Sequence, residues 1–417
     1  MTRDFMRGAD VIVVGGGPAG AATAWALARN GIDTLVIDRA HFPRPKPCAE
    51  YLSPQAARFL SEMGVLAGLE RDGVATLAGM RIHAGGESFE GRFRTIHGFR
   101  GFRDRGIAVR RERLDATLLD AARFAGTRVL EGAVVDDVIR DGTGAVRGVS
   151  VRIDGVAQQV PTRHVVGADG IRSVVARRLG LARRFRWPVR YAFVGHYEGV
   201  AGVGDCGEMH VFDDGYCGIA DVGGGVTNVA VVCSALRATS ARGHVDDFVT
   251  SWVAEHDTLA GRFSEARSVS SVLPTGPFGA RARAAWAPGA SLVGDAADFY
   301  DPFTGEGIYA ALRGGELLAP YIVESLRAGS PRNANAALAA YDRCRRHEFG
   351  GKWQLERLIS VAVANPSLLA MIARRLHLRR DLADLLVGVT GDFVPAREVL
   401  NLRFAMQLLA PLASEAA

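Results

Sequence analysis

The chain predicts an α/β protein in three parts: a parallel-sheet domain discontinuous in sequence, a mostly antiparallel β-sheet domain, and a helical C-terminal region. Three observations carry that expectation. Residues 10–20 read Asp-Val-Ile-Val-Val-Gly-Gly-Gly-Pro-Ala-Gly, an apolar strand running straight into clustered glycines. From Trp187 to about Val272 β-like segments are broken by glycine clusters, the punctuation expected of strands and turns. From Tyr321 to Ala417 the chain is rich in leucine and arginine and reads as helix.

Taken in order, Val11–Val14 reads as a buried parallel strand. Gly15, Gly17 and Gly20 then supply a tight turn, close backbone approach to a pyrophosphate and close packing of the following helix. That helix is expected over Ala21–Ala28, with its amides and positive dipole end facing the pyrophosphate. Asp38, closing a second apolar strand at Val36-Ile37, is placed to accept from a ribose hydroxyl. The opening unit is therefore a Rossmann-type dinucleotide site. Pro43, Pro45 and Pro47 alternate through the next ten residues and impose a stiff, extended path. Ser53-Pro54 caps a helix whose apolar positions are Ala57, Leu60 and Met63.

Residues 75–99 alternate around Gly85-Gly86, a hairpin signature and an excursion into the second domain. The chain returns at Gly106 with a strand at Ile107–Val109 and a helix at Leu114–Phe124. Strands follow at Val129–Ile139, Val146–Ile153 and His164–Asp169. The β domain contributes Val189–His196 and Gly225–Val232, with a helix near Val245–Glu255. Gly223-Gly224-Gly225 precedes a strand without linking it to a helix, so it reads as a turn and not as a second nucleotide site. A last strand, Ser291–Val293, enters Gly294-Asp295, and a helix spans Gly307–Leu318. The expected domains are 1–74, 100–186 and 275–345; 75–99 and 187–274; and 346–417.

Composition excludes several classes. A chain of 417 residues is too long for one small core. No apolar run reaches the roughly 18 residues of a membrane span, and the first strand follows the N-terminus directly, so a cytoplasmic protein without a signal peptide is expected. Cys48, Cys206, Cys217, Cys233 and Cys344 lack CxxC pairing or a histidine at ligand spacing, which predicts free thiols and no metal site. The net charge of +5 is spread along the chain and argues against nucleic acid as a partner. In the tail, Leu368, Leu369, Ile372, Leu376, Leu385 and Leu386 alternate with arginines. Packing against the body is expected, with a lid, a dimer face or a peripheral membrane contact as alternatives; the oligomeric state stays open.

Further motifs join the glycine fingerprint. They are Lys46-Pro47-Cys48-Ala49-Glu50-Tyr51-Leu52-Ser53-Pro54, Arg111-Glu112-Arg113-Leu114-Asp115, Gly167-Ala168-Asp169-Gly170 with Arg172-Ser173, and Gly294-Asp295 through Gly307. Over nearly its whole length the chain resembles the FAD-dependent oxidoreductases of the p-hydroxybenzoate hydroxylase-like fold, which include the group A flavin monooxygenases, and within that fold it is most similar to the geranylgeranyl reductase family. The resemblance implies FAD held by Gly15, Gly17, Pro18, Ala19, Gly20, Asp38, Arg39, Lys46, Cys48, Ala49, Arg111, Val135, Asp169, Gly294, Asp295, Pro302, Gly305, Glu306, Gly307 and Ile308. In it Asp295 binds the ribityl chain and Pro302–Ile308 sits at the pyrimidine end of the flavin. Arg110 and Arg113 compete with Arg111 for the cofactor.

Cys48, Tyr216 and Pro302 are the candidates at the reacting end. Cys48 is expected as pocket wall more than as nucleophile, because no activating base adjoins it in sequence. The family carries glycine where Ala49 stands. Its aromatic and proline strand motif is replaced here by Asp214-Gly215-Tyr216-Cys217-Gly218-Ile219-Ala220-Asp221. That departure favours a monooxygenase acting through a flavin hydroperoxide on a hydrophobic small molecule, by hydroxylation or epoxidation, in secondary metabolism. The alternatives are an ene-reductase delivering hydride to a C=C bond, and a protein whose FAD is structural. Halogenation is disfavoured by the same missing motif. NADH or NADPH is the expected transient electron donor.

Overall fold

The computed structural model describes residues 7–184 and 189–410. The expected start of the β domain at Trp187 and the last seven residues of the tail lie outside the described residues. The architecture is α/β with a helical C-terminal region.

The first sheet runs in the order Trp286–Ala287, Ala290–Leu292, Val156–Gly167, Ala9–Val14, Thr34–Ile37, Arg128–Leu130. All neighbours from Ala290–Leu292 onward pair in parallel. Val11, Ile12 and Val13 are wholly buried, as expected of strands covered on both faces. The helix after the glycines spans Pro18–Arg29 and is buried almost all round. It starts three residues earlier than the sequence suggests, because Pro18 with its fixed φ takes the first helical position.

The expected strand Val129–Ile139 is two strands. Arg128–Leu130 closes the parallel sheet, whereas Val134–Arg140 pairs antiparallel with Val146–Ile153 in a flap on the long strand Val156–Gly167. The break has a local cause: the Ala133 amide leaves the strand to donate to the carbonyl of Asp38, 3.0 Å away. The strand expected at Ile107 is Gly106–Ala108, and it joins Tyr51–Leu52 and Ala75–Leu77 in a separate small sheet.

The second large sheet is ordered Arg267–Ser268, Arg190–Glu198, Val226–Ser234, Gly215–Asp221, Cys206–Phe212, Gly79–Ala84, Glu87–Arg92. Every pair along it is antiparallel except Cys206–Phe212 with Gly79–Ala84. Gly85-Gly86 forms the hairpin turn between the last two strands, and Gly223–Gly225 the turn between Gly215–Asp221 and Val226–Ser234. Alternation sorts the side chains. Phe193, Cys217, Val229 and Val231 face the helix Val245–Ala254, while Ala192, Val194, Tyr216, Ala230 and Val232 face the C-terminal helices.

The helix expected to end at Leu318 runs Gly307–Arg327 through Pro320, because its apolar stripe continues in Ile322 and Val323. Residues 345 and 346, where the tail was expected to begin, both lie within the helix Pro331–Val363. The helices Pro366–Leu378 and Arg380–Thr390 lie across the strand Glu87–Arg92, with Asp384 Oδ1 accepting from the Arg92 amide at 2.7 Å. Leu369, Leu376 and Leu385 are buried there, whereas Leu368 is exposed.

Candidate active site

A cavity of about 770 Å³ lies between the two large sheets and the helix Gly307–Arg327. The residues named from the sequence for cofactor and chemistry line it, except Gly20. Gly20 packs behind the wall: a Cβ there would stand 1.8 Å from the Gly15 carbonyl oxygen. Gly15 itself has φ +103°, and a Cβ would strike the Ala168 carbonyl, so only glycine fits either place.

At the dinucleotide end, Asp38 accepts from the amides of Gly16 (2.6 Å) and Ala40 (2.8 Å). It thereby braces the glycine turn while its remaining lone pairs stay available for a hydroxyl. Arg111 is buried in a two-point pair with Asp115, both contacts 2.7 Å. Its two competitors are engaged elsewhere, Arg110 with Glu112 and Arg113 with the carbonyl of Leu69. A residue not picked from sequence joins it: Arg44, whose Nη1 forms an ion pair with Asp115 Oδ2 at 3.0 Å.

Along the middle of the cavity, burial lowers the affinity of Lys46 for its proton, and Arg111 adds to that. Burial raises the Asp295 carboxyl, while Lys46 and Arg111 pull it back. Asp169 Oδ2 caps the turn of helix at Val174 (2.6 Å), and its Oδ1 is buried without a partner. Cys48 Sγ accepts from the Glu50 amide at 3.3 Å; no base hydrogen-bonds to it among the described residues, and the Arg111 guanidinium lies beside it.

Glu50 anchors this loop. With φ +59° and almost no exposure, it accepts from the Arg111 amide (2.8 Å), pairs with His196 Nε2 (2.8 Å) and accepts from Asn228 Nδ2 (3.2 Å). Asn228 also donates to the Cys48 carbonyl at 2.9 Å. The strained backbone is held by contacts from the β domain, the setting in which such strain persists.

At the far end, the Tyr216 hydroxyl donates to Asp301 Oδ1 (2.6 Å), and Arg190 holds Asp301 Oδ2 (2.6 Å). Asp301 caps the turn Pro302–Thr304 through the Phe303 amide. Burial and Asp301 raise the Tyr216 phenol well above its ordinary range, so as placed Tyr216 holds the Pro302 turn and keeps its proton. Lys352 bridges Glu306 (3.1 Å) and Asp392. On the opposite face, His83, Glu208 and His210 gather metal-type donors, but Arg262 lies 2.5 Å from Glu208 and neutralises it.

The pocket fits FAD. Glycines without room for a Cβ form a cradle, Arg44 and Arg111 supply positive charge beside Gly17, and Asp169 Oδ1 is a buried polar atom without a hydrogen-bond partner. A family model described as an FAD binding domain matches residues 8–194. The menaquinone reductase of Mycobacterium tuberculosis is 33% identical over 332 residues, covering 75% of this chain and 76% of that one. The chain belongs to the geranylgeranyl reductase family of FAD-dependent oxidoreductases. In this flavoprotein family, digeranylgeranylglycerophospholipid reductase 2 of Methanopyrus kandleri is 29% identical, covering 76% of this chain and 77% of that one. Among solved structures, a myxobacterial chondrochloren halogenase superposes with a TM-score of 0.76 at 25% identity, covering 83% and 81%. Similarity thus extends both to reductases and to an FAD-dependent halogenase.

Proposed function

We propose that this flavoprotein is a reductase that saturates a C=C bond in a long, apolar, prenyl-type substrate. The observation that carries the reading is the apolar end of the cavity, which continues directly from the flavin cleft. Val194, Ala230 and Val232 project from alternate positions of neighbouring strands, and Met209, Phe278 and Phe303 complete the wall. Arg190 and Asp301 satisfy each other beside this wall, and its apolar side chains match an aliphatic chain. The similarity to reductases over three quarters of the chain supports this reading over the monooxygenase expected from the strand motif.

When bound, reduced FAD would supply the hydride. The chain's own part is to hold the cofactor through Gly15–Gly20, Asp38, Arg44, Arg111 and Asp295, to lay the alkene beside it, and to keep water away. NADH or NADPH is the proposed donor, docking transiently at the flavin. Leu402, Met406 and Leu409 form one exposed stripe on the helix Leu402–Leu409, near exposed Arg374 and Arg403; this face is proposed to rest on an anionic lipid surface carrying the substrate. Among the described residues no single helix is long and apolar enough to cross a membrane; Pro331–Val363 and Pro366–Leu378, bent by 112°, pass that test only as a pair.

The monooxygenase reading keeps one specific support, since the strand Gly215–Asp221 meets the cavity with Tyr216, Gly218 and Ala220 and no tryptophan. Anaerobic single turnover separates the two. Photoreduced enzyme mixed with geranylgeraniol in detergent micelles should regain its oxidised flavin band without oxygen. A band that returns only when oxygen is admitted contradicts the reductase.

A further inference from the structure

The buried charges at the far end of the cavity do not balance. Arg190 and Asp301 form one neutral pair. Lys352 is shared by two carboxyl groups, Glu306 and Asp392. A fourth acid, Glu356, lies one helical turn beyond Lys352 on Pro331–Val363 and lines the cavity beside Trp353 and Tyr300. It has no hydrogen bond and no ion pair among the described residues. The other cations nearby are Arg281 and Arg357, which act on Tyr300, and Arg345 over Trp353, which is paired with Asp298 and Asp342; Arg357 is exposed.

A carboxyl group among apolar walls and other carboxylates, without a cation of its own, is favoured in its neutral form. Burial is the largest influence on Glu356. Glu306, Asp301 and Asp392 reinforce it against Lys352, and together they push its proton affinity well above the ordinary carboxylate range. Two further polar side chains of the cavity are committed. Tyr216 donates to Asp301, and Asn228 to Cys48 and Glu50. Glu356 thus lines the cavity with no cation or hydrogen-bond partner of its own among the described residues, in surroundings that favour its neutral, proton-carrying form.

We propose that Glu356 is the catalytic acid of the reduction, giving its proton to one alkene carbon while hydride adds to the other. The proposal rests on the reductase reading above. The balance is simple: the alkene π bond breaks, its electron pair takes the proton from Glu356, and the hydride brings a second pair to the other carbon. Two C–H bonds form, reduced flavin is oxidised, and Glu356 is left as a carboxylate that solvent reprotonates.

The test uses flavin-loaded enzyme, dithionite as reductant and geranylgeraniol in micelles without oxygen. E356Q should keep its flavin content and its rate of flavin reduction by dithionite, while turnover falls by about 10²–10⁴-fold. E356D, an acid on a shorter arm, should recover part of the rate. Infrared difference spectra at neutral pH should show a protonated carboxyl band in the wild type that E356Q lacks. An E356Q enzyme that turns over at the wild-type rate, or one that leaves the carboxyl bands unchanged, overturns the assignment while the reductase reading stands. A wild type inert towards the alkene without oxygen overturns both.

Discussion

Asp295 stands at the carboxyl end of its strand, facing Lys46 and Arg111 across the cavity. A carboxylate in that position is a strong acceptor for ribityl hydroxyls, worth about 1.5–3 kcal/mol for a charged hydrogen bond. Asp295→Ala should therefore lower the flavin content of purified protein, read from its absorbance ratio; unchanged content would remove that role. Cys48 is held by backbone contacts to Glu50 and Asn228 and lacks a base. Cys48→Ser should stay yellow with altered turnover or product, and an identical product profile would leave the thiol as filler. Glu50 acts on the loop from behind. Glu50→Gln weakens its pairing with His196, and the expected outcome is a raised KM with flavin retained.

Among the elements, the first βαβ unit leaves no slack at Gly20, where a Cβ would meet the Gly15 carbonyl at 1.8 Å. Gly20→Ala should force the turn open, and flavin retention after gel filtration should drop sharply. This unit was legible in the sequence because its requirements are local: strand, glycine spacing, helix and acid occur in chain order. The hairpin at Gly85-Gly86 and the turn at Gly223–Gly225 were legible for the same reason. Contacts between distant parts were not. His196 reaches Glu50 across 146 residues, Arg44 and Arg111 share Asp115, and Lys352 meets Asp392 from the turn after Arg380–Thr390; no periodicity encodes such meetings. The division of Val129–Ile139 was hidden because one backbone amide, that of Ala133, decides it.

For the molecule as a whole, stability should depend on pH through His164. This residue lies in the central strand, wholly buried, bonded to Ser291 at 2.9 Å, and burial lowers its pKa to about 3. Below the unfolded value near 6.5 the unfolded chain binds the proton and the folded chain does not, so stability falls as pH drops from about 6.5 towards 3. At a pH near 4.5 the loss is on the order of 2–3 kcal/mol. Chemical denaturation at several pH values should show it, with His164→Gln losing less over the same interval; parallel curves would contradict the assignment.

The same whole-molecule view joins the flavin cleft of one sheet to the apolar wall of the other, and the reduction claim depends on that join. Its most direct test is product analysis under strict anoxia, with reduced enzyme and a prenyl alkene in micelles. The account predicts a product heavier by two hydrogens, formed without oxygen and, in heavy water, carrying solvent-derived deuterium on the former alkene carbons. A product that forms only in air and carries an added oxygen atom would contradict it.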